Sequence, residues 1–345
     1  MEMVMSSKAV ILGGTGQIGT AIAKRLLADG WDVTVSHRGN RVVAGEGAAK
    51  VVRADRHEPL GVADAVGGGA DLVVDVIGYT RRDAEALLSV CGDVGSVVAM
   101  STAAVYVDAD GREFNGFVAE EDFPRYPELI GEEQPTVQPG EDGYTAGKIA
   151  YEQTLLDSAP CPTTVFRLGA VSGPHSDHAR EWFYVKRLLD GRRTFGHHRG
   201  GASVFHTTSV DNLAELVCVA RRASAGGILN CADPTAHTEK EIAAAVADAM
   251  DVEILQVDVR DDGASQPCRS PWLIPGRLAL DMRRAESLGY RPVSSYGDAV
   301  RSVVDWLVGT VKPDRWQDVL SVLASYPFPL FDYEAEDELL AKAGV

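Results

Sequence analysis

The sequence predicts an α/β fold: a doubly wound, mostly parallel sheet with helices on both faces, joined to a smaller C-terminal α/β lobe. Three observations carry this expectation. Short apolar runs alternate with helical patterns through the first half of the chain, a glycine cluster follows the first run, and the rhythm turns irregular beyond residue 170. Strands alternating with helices imply βαβ crossovers, and such crossovers leave neighbouring strands parallel.

Residues 8–12 read as the first strand and 17–29 as the first helix. Strands follow at 32–36, 50–54 and 71–77, then a helix over 83–90 and a strand at 96–101. The pattern closes with a helix over 144–158 and a sixth strand at 163–168. Between them, residues 108–142 break the rhythm with Pro124, Pro127, Pro135, Pro139 and a run of acids, and a long irregular segment just ahead of a helix reads as a functional lid. Further helices are expected at 181–189, 210–222, 238–250 and 297–307. The expected division is 8–170 as the first lobe, with 205–230 returning to it. Residues 171–204 and 231–310 form a substrate lobe, and 311–345 a C-terminal extension without a placeable pattern.

Composition narrows the function classes. The 345 residues carry a formal net charge of −17, from 50 acidic against 33 basic side chains. That balance repels phosphate backbones and anionic membranes, so neither nucleic acid nor membrane is an expected partner, and a small molecule is. Five scattered cysteines without a CxxC pair read as free thiols in a reducing compartment. With no basic leader at the N-terminus, a cytoplasmic location is expected. His197-His198 beside His206 lacks metal-ligand spacing, so no metal is expected. Trp182, Phe183 and Tyr184 read as the core side of a helix, and Asp75, inside an apolar strand, requires partners.

Gly13-Gly14-Thr15-Gly16-Gln17-Ile18-Gly19 fits GxxGxxG between a strand and a helix. Gly13 and Gly16 permit a tight turn and close approach of backbone to a pyrophosphate, while Gly19 lets the helix pack on the strand. The helix N-terminus adds free N–H groups and the positive end of its dipole. The pattern reads as the phosphate loop of a Rossmann dinucleotide site. The second strand ends Ser36-His37-Arg38-Gly39-Asn40, without the carboxylate that reads ribose hydroxyls where NAD is preferred. Arg38 can pair with a 2′-phosphate that Ser36, His37 or Asn40 can also hydrogen-bond, so NADP is the expected cofactor and NAD the alternative. Asp55, followed by Arg56 after the third strand, stands where an adenine amino group can be read; Gly78 and Ala170 complete the candidate cofactor set.

Tyr144 and Lys148 form a YxxxK pair at helical spacing. Residues i and i+4 share a helix face, so phenol and ammonium can meet one nicotinamide ribose. A nearby ammonium is expected to lower the phenol pKa toward a value useful for proton transfer. The strand at 96–101 delivers Ser101 and Thr102 at its carboxyl end, the edge at which ligands gather in such sheets.

Together GxxGxxG at 13–19, S-T-x-x-V-Y at 101–106 and YxxxK at 144–148 resemble the extended short-chain dehydrogenase/reductases, the NAD-dependent epimerase/dehydratase family. The resemblance continues through residues 167–174, similar to R-x-x-x-x-Y-G-P, and 210–214, similar to V-D-D-x-A. It extends to 288–292 and 305–307, similar to L-G-W-x-P and D-W-L. It implies Thr102, rather than Ser101, as the catalytic hydroxyl beside Tyr144 and Lys148. Two departures matter. Ala103-Ala104 stands where 4,6-dehydratases carry Asp-Glu, and residues 203–207 lack the arginine that grips a nucleotide-sugar pyrophosphate. The expected activity is therefore an NADP-dependent reduction of a ketone on a sugar or natural-product intermediate. A nucleotide-sugar epimerase that retains its cofactor is the alternative. A non-catalytic dinucleotide-sensing or RNA-associated protein is the reading from another class, and the intact Thr102, Tyr144 and Lys148 argue against it. By analogy with the family, a homodimer is admitted.

Overall fold

The computed structural model describes residues 6–39, 49–58, 60–115, 120–260 and 267–345. The chain divides into two compact units. The first comprises Met1–Gly169, Val210–Ala232 and Leu280–Val293, and the second Ala170–Ser209, Asp233–Ala279 and Ser294–Val345.

The first unit begins with β1 (Lys8–Leu12), α1 (Gln17–Ala28), β2 (Asp32–His37), β3 (Lys50–Arg53), α2 (Gly61–Val66) and β4 (Leu72–Asp75). It continues with α3 (Arg81–Leu88), β5 (Val97–Thr102), α4 (Tyr144–Ser158) and β6 (Thr163–Leu168). The chain then builds β7 (Ala170–Ser172), α5 (Trp182–Leu189), β8 (Thr194–His197), β9 (Val204–Phe205) and β10 (Thr207–Ser209) of the second unit. It returns to the first unit for α6 (Val210–Arg222) and β11 (Gly227–Cys231), and leaves it again for α7 (Glu239–Ala249), β12 (Leu255–Asp258) and β13 (Arg277–Leu278). After α8 (Arg283–Ser287) in the first unit, α9 (Tyr296–Thr310) and α10 (Tyr333–Lys342) finish the second.

Seven strands of the first unit form one parallel sheet in the order β11-β6-β5-β4-β1-β2-β3. Strands buried on both faces need apolar side chains at every position, which is why 9–12 and 72–74 are unbroken hydrophobic runs. Val10, Val73, Ala99 and Val165 meet Ala84 and Leu87 of α3 and Leu155 of α4 in one core; each valine or leucine contributes about 1.5–3 kcal/mol by leaving water. The strand β1 pairs with β2 on one side and β4 on the other, so the direction of winding reverses there. Doubly wound sheets open a crevice at that point, beyond the carboxyl ends of the strands.

The irregular segment before α4 is fastened at several of its described residues. Its turns are pinned by the buried Asp108, whose carboxylate accepts the amides of Asp110, Arg112 and Arg125 at 2.9 Å each. The Asn230 side chain at the end of β11 holds it from the other side, donating to the Ile130 carbonyl at 2.8 Å and accepting the Tyr106 hydroxyl at 2.6 Å. Irregular backbone lacks ladder partners, and these side chains supply them.

The second unit holds three short parallel pairs, β7 with β10, β8 with β12 and β9 with β13. Its core joins Trp182, Phe183 and Tyr184 of α5 to Ile242 and Val246 of α7 and Val300, Val304 and Leu307 of α9, so those aromatics are core. Three boundaries differ from the sequence expectation. Residues 280–293 pack in the first unit, where Leu280 bridges to Ile130, and the stretch beyond 311 is no appendage: Trp316, Leu320, Leu323 and Leu330 are buried in the core of the second unit. Residues 205–209 also belong to the second unit.

Candidate active site

The glycine loop lies just past β1 at the reversal of the sheet. Gly13 sits at φ +86°, a conformation that favours glycine, and a Cβ there would come within 2.5 Å of Ile77. The amides of Gly13 and Gly14 donate to the Ser36 carbonyl at 3.2 and 3.1 Å, tying the loop to the end of β2. A Cβ on Gly19 would collide with the Gly13 carbonyl, so only glycine lets α1 approach β1 this closely. Gly16 differs: a Cβ there meets nothing nearer than 3.9 Å, and it is the N-cap of α1 without a capping side chain or an acid in the first turn. An open cradle at an uncapped helix N-terminus fits a pyrophosphate. Thr15, Gly16, Gln17 and Ile18 are half-buried along its rim.

At the end of β2, His37 Nδ1 accepts the Gly39 amide at 2.9 Å, which fixes the turn, and Arg38 is exposed. Asn40 lies outside the described residues. Asp55 is half-buried and accepts the His57 amide at 3.0 Å. Arg56, the candidate cofactor residue that follows Asp55, is buried. Its guanidinium turns into the core, bidentate on Asp75 at 2.7 and 3.0 Å, with Nε 3.0 Å from Asp83 Oδ1 and one Nη donating to the Asp83 carbonyl at 2.9 Å. These are the partners that Asp75 demanded; the Tyr151 hydroxyl adds a third bond to it at 2.7 Å. The ring of Tyr151 fills the space that a Cβ on Gly78, just past β4, would occupy.

Thr102 ends β5 and Tyr144 opens α4, which brings both side chains to the carboxyl edge of the sheet. The Thr102 Oγ1 also accepts the Ala104 amide at 3.2 Å, which holds its rotamer. The neighbouring Ser101 hydroxyl points the other way, onto Glu152, which pairs with Arg167 at 2.7 Å in the interior. The Ser101 hydroxyl is thereby committed to the interior. Lys148 is buried and donates from Nζ to the Gly78 and Met100 carbonyls at 2.6 and 2.9 Å. Burial pulls its pKa down to about 8, with the carboxylates of Asp75 and Glu152 opposing. Tyr144 departs from expectation: although half exposed, its hydroxyl is pushed up to about 12, first by burial and then by Tyr79, with Thr102 pulling it down. Lys148 Nζ lies 5.9 Å from the centre of the Tyr144 ring and is not among the causes, so the expected lowering by the ammonium is not seen.

Ala170 opens β7, and its amide is spent on the His206 carbonyl at 2.8 Å. The histidines serve their own surroundings: His198 bonds the Pro267 carbonyl and His206 the Asp233 carbonyl, and no metal-binding group exists among the described residues. All five cysteines are free. Sequence reasoning missed Tyr79 and Tyr151. The second had a signal, three residues beyond Lys148 on the same helix face; the first had none beyond its place after β4.

A parallel sheet with a phosphate cradle at its reversal point, and a Thr-Tyr-Lys set at the same edge, defines an extended short-chain dehydrogenase/reductase. The chain belongs to the NAD dependent epimerase/dehydratase family, whose sequence model matches residues 9–232. No curated protein sequence matches it significantly. Among solved structures it is similar to the UDP-glucose 4-epimerase of Thermus thermophilus in complex with NAD, at 23% identity and TM-score 0.64, over 88% of this chain and 100% of the other. It is also similar to the Bordetella bronchiseptica enzyme WbmH in complex with NAD+, at 18% identity and TM-score 0.67, over 89% and 99%. A third likeness is to the UDP-glucuronic acid 4-epimerase of Bacillus cereus with UDP-glucuronic acid and NAD, at 15% identity and TM-score 0.65, over 88% and 99%. No described helix is long and apolar enough to cross a membrane.

Proposed function

We propose that the protein is an NADP-dependent oxidoreductase that reduces a ketone on a sugar or natural-product intermediate. The observation that carries the reaction type is the placement of Thr102 at the end of β5 and Tyr144 at the start of α4, with the Nζ of the buried Lys148 5.9 Å from the centre of the Tyr144 ring. Gly13, Gly16 and the start of α1 would hold the pyrophosphate, and Arg38 the 2′-phosphate. The nicotinamide, when bound, supplies the hydride. Thr102 holds the substrate oxygen in line with Tyr144, and Tyr144 passes its proton to that oxygen as the carbon is reduced. A phenol with its pKa near 12 keeps its proton at neutral pH, which suits the acid role in the direction of reduction. Lys148 holds the ribose and supplies positive charge as the phenolate develops. Water elimination has no acid–base pair at Ala103-Ala104.

An epimerase that oxidises and re-reduces one carbon is the second reading, favoured by the epimerases among the similar structures. Cofactor handling separates the two. A reductase consumes NADPH in proportion to product, read as loss of nicotinamide absorbance with a panel of ketones. Product formed with no added cofactor and no absorbance change would refute the reductase and establish the epimerase.

A further inference from the structure

We propose that Tyr79 is a positioning residue of the catalytic centre, its ring face serving as the counter-surface for the Lys148 ammonium; this rests on the oxidoreductase reading of the Thr102–Tyr144–Lys148 site. The ring centre lies 4.2 Å from Lys148 Nζ and 6.2 Å from the centre of the Tyr144 ring. The placement is built on both sides. The Tyr79 amide donates to Asp83 Oδ2 at 2.9 Å, the same oxygen that closes the capping box at Thr80, so the start of α3 fixes its backbone. Its carbonyl faces α4 so closely that a Cβ on residue 147 would come within 2.9 Å of it, which requires Gly147 beside Lys148.

The electrostatics explain why a ring belongs there. Lys148 is 3% exposed and forms no ion pair among the described residues, with two carbonyls as its acceptors. Asp75, Glu152 and Asp83 favour its charged form from a distance, Arg56 opposes them, and the rings of Tyr144 and Tyr151 stand farther off at 5.9 Å each. A carboxylate at the position of Tyr79 would claim an N–H. A ring face attracts the cation without a directional bond, so the third N–H stays available to a ribose hydroxyl. Taking the ring away removes support for the charged form, and the ammonium then loses its proton at lower pH.

The test reads that proton directly. In the full chain labelled with ¹³Cε-lysine, the Lys148 signal is identified by its loss in Lys148→Arg and titrated from pH 6 to 11 (about one unit beyond the ordinary lysine value). Tyr79→Leu is expected to lower the midpoint by about one pH unit, the scale of a desolvated cation–π contact, while Tyr79→Phe leaves it in place. Tyr79→Met provides the same reading if the leucine variant does not fold. A midpoint unmoved in folded Leu or Met variants overturns the proposal. Turnover is scored separately. A moved midpoint in a protein that never transfers hydride upholds the role of Tyr79 toward Lys148 and refutes the oxidoreductase reading; an unmoved midpoint in an active reductase does the reverse.

Discussion

Replacing Arg56 with Met leaves two carboxylates in the interior without their cation. Both acids are buried, Asp75 fully so, and each contacts the guanidinium within 3.0 Å. Removing one partner of a buried pair costs about 3–5 kcal/mol, because the remaining charge keeps its desolvation penalty. The bonds that survive argue for the lower end. Asp75 keeps the Tyr151 hydroxyl and the Ile77 amide, and Asp83 keeps the amides of Tyr79 and Thr80 and the Thr80 hydroxyl. The expected loss is about 3 kcal/mol, a large part of the roughly 5–15 kcal/mol that holds a domain folded. Urea unfolding followed by far-UV circular dichroism measures it. The pH dependence supplies a second check. Contacts with Arg56 and the amides hold the Asp83 carboxyl below its ordinary value despite burial. Its stabilisation is therefore complete above the unfolded pKa of about 4 and is lost as pH falls through the folded value, so variant and wild type converge in acid. A loss under about 1 kcal/mol at pH 7, the worth of an exposed pair, would refute the buried-clamp account.

Tyr144→Phe is expected to reduce turnover by about 10²–10⁴, the range for a lost general acid, with cofactor affinity unchanged by fluorescence titration. Arg38→Ala should weaken NADP by about 1–3 kcal/mol and spare NAD; equal losses for the two would show that Arg38 does not read the 2′-phosphate. Gly78→Ala drives a methyl group into the Tyr151 ring and strains the Asp75 clamp, for an expected cost of about 1–3 kcal/mol in the same urea assay; a neutral result would contradict the close approach.

The elements most legible in the sequence were those whose pattern is local. Apolar runs gave β1 and β6 their full extent, and the i, i+4 spacing of Tyr144 and Lys148 placed both on α4. What depends on long-range contact was hidden. Arg56 and Asp75 lie 19 residues apart, and a basic residue after a strand looks like a loop side chain until its partners are known. The raised pKa of Tyr144 follows from burial and from Tyr79, a residue far away in sequence. The helix α2, six residues long and opening on glycine, is too short to show a period. Residues 280–293 joined the first unit through a bridge to Ile130, which no periodicity announces.

The interleaving of the two units has a consequence for synthesis on the ribosome. The first six strands of the large sheet are complete by Leu168, but β11, which covers the edge of β6, arrives only at Gly227–Cys231, and the last stretch of that unit ends at Val293. At roughly 5–20 residues per second, the nascent sheet waits several seconds with β6 as an open edge. Open edges recruit other strands. Neither unit can close as an independent N-terminal domain, so the chain commits to its native arrangement late, and fragments cut after β6 would carry that sticky edge permanently.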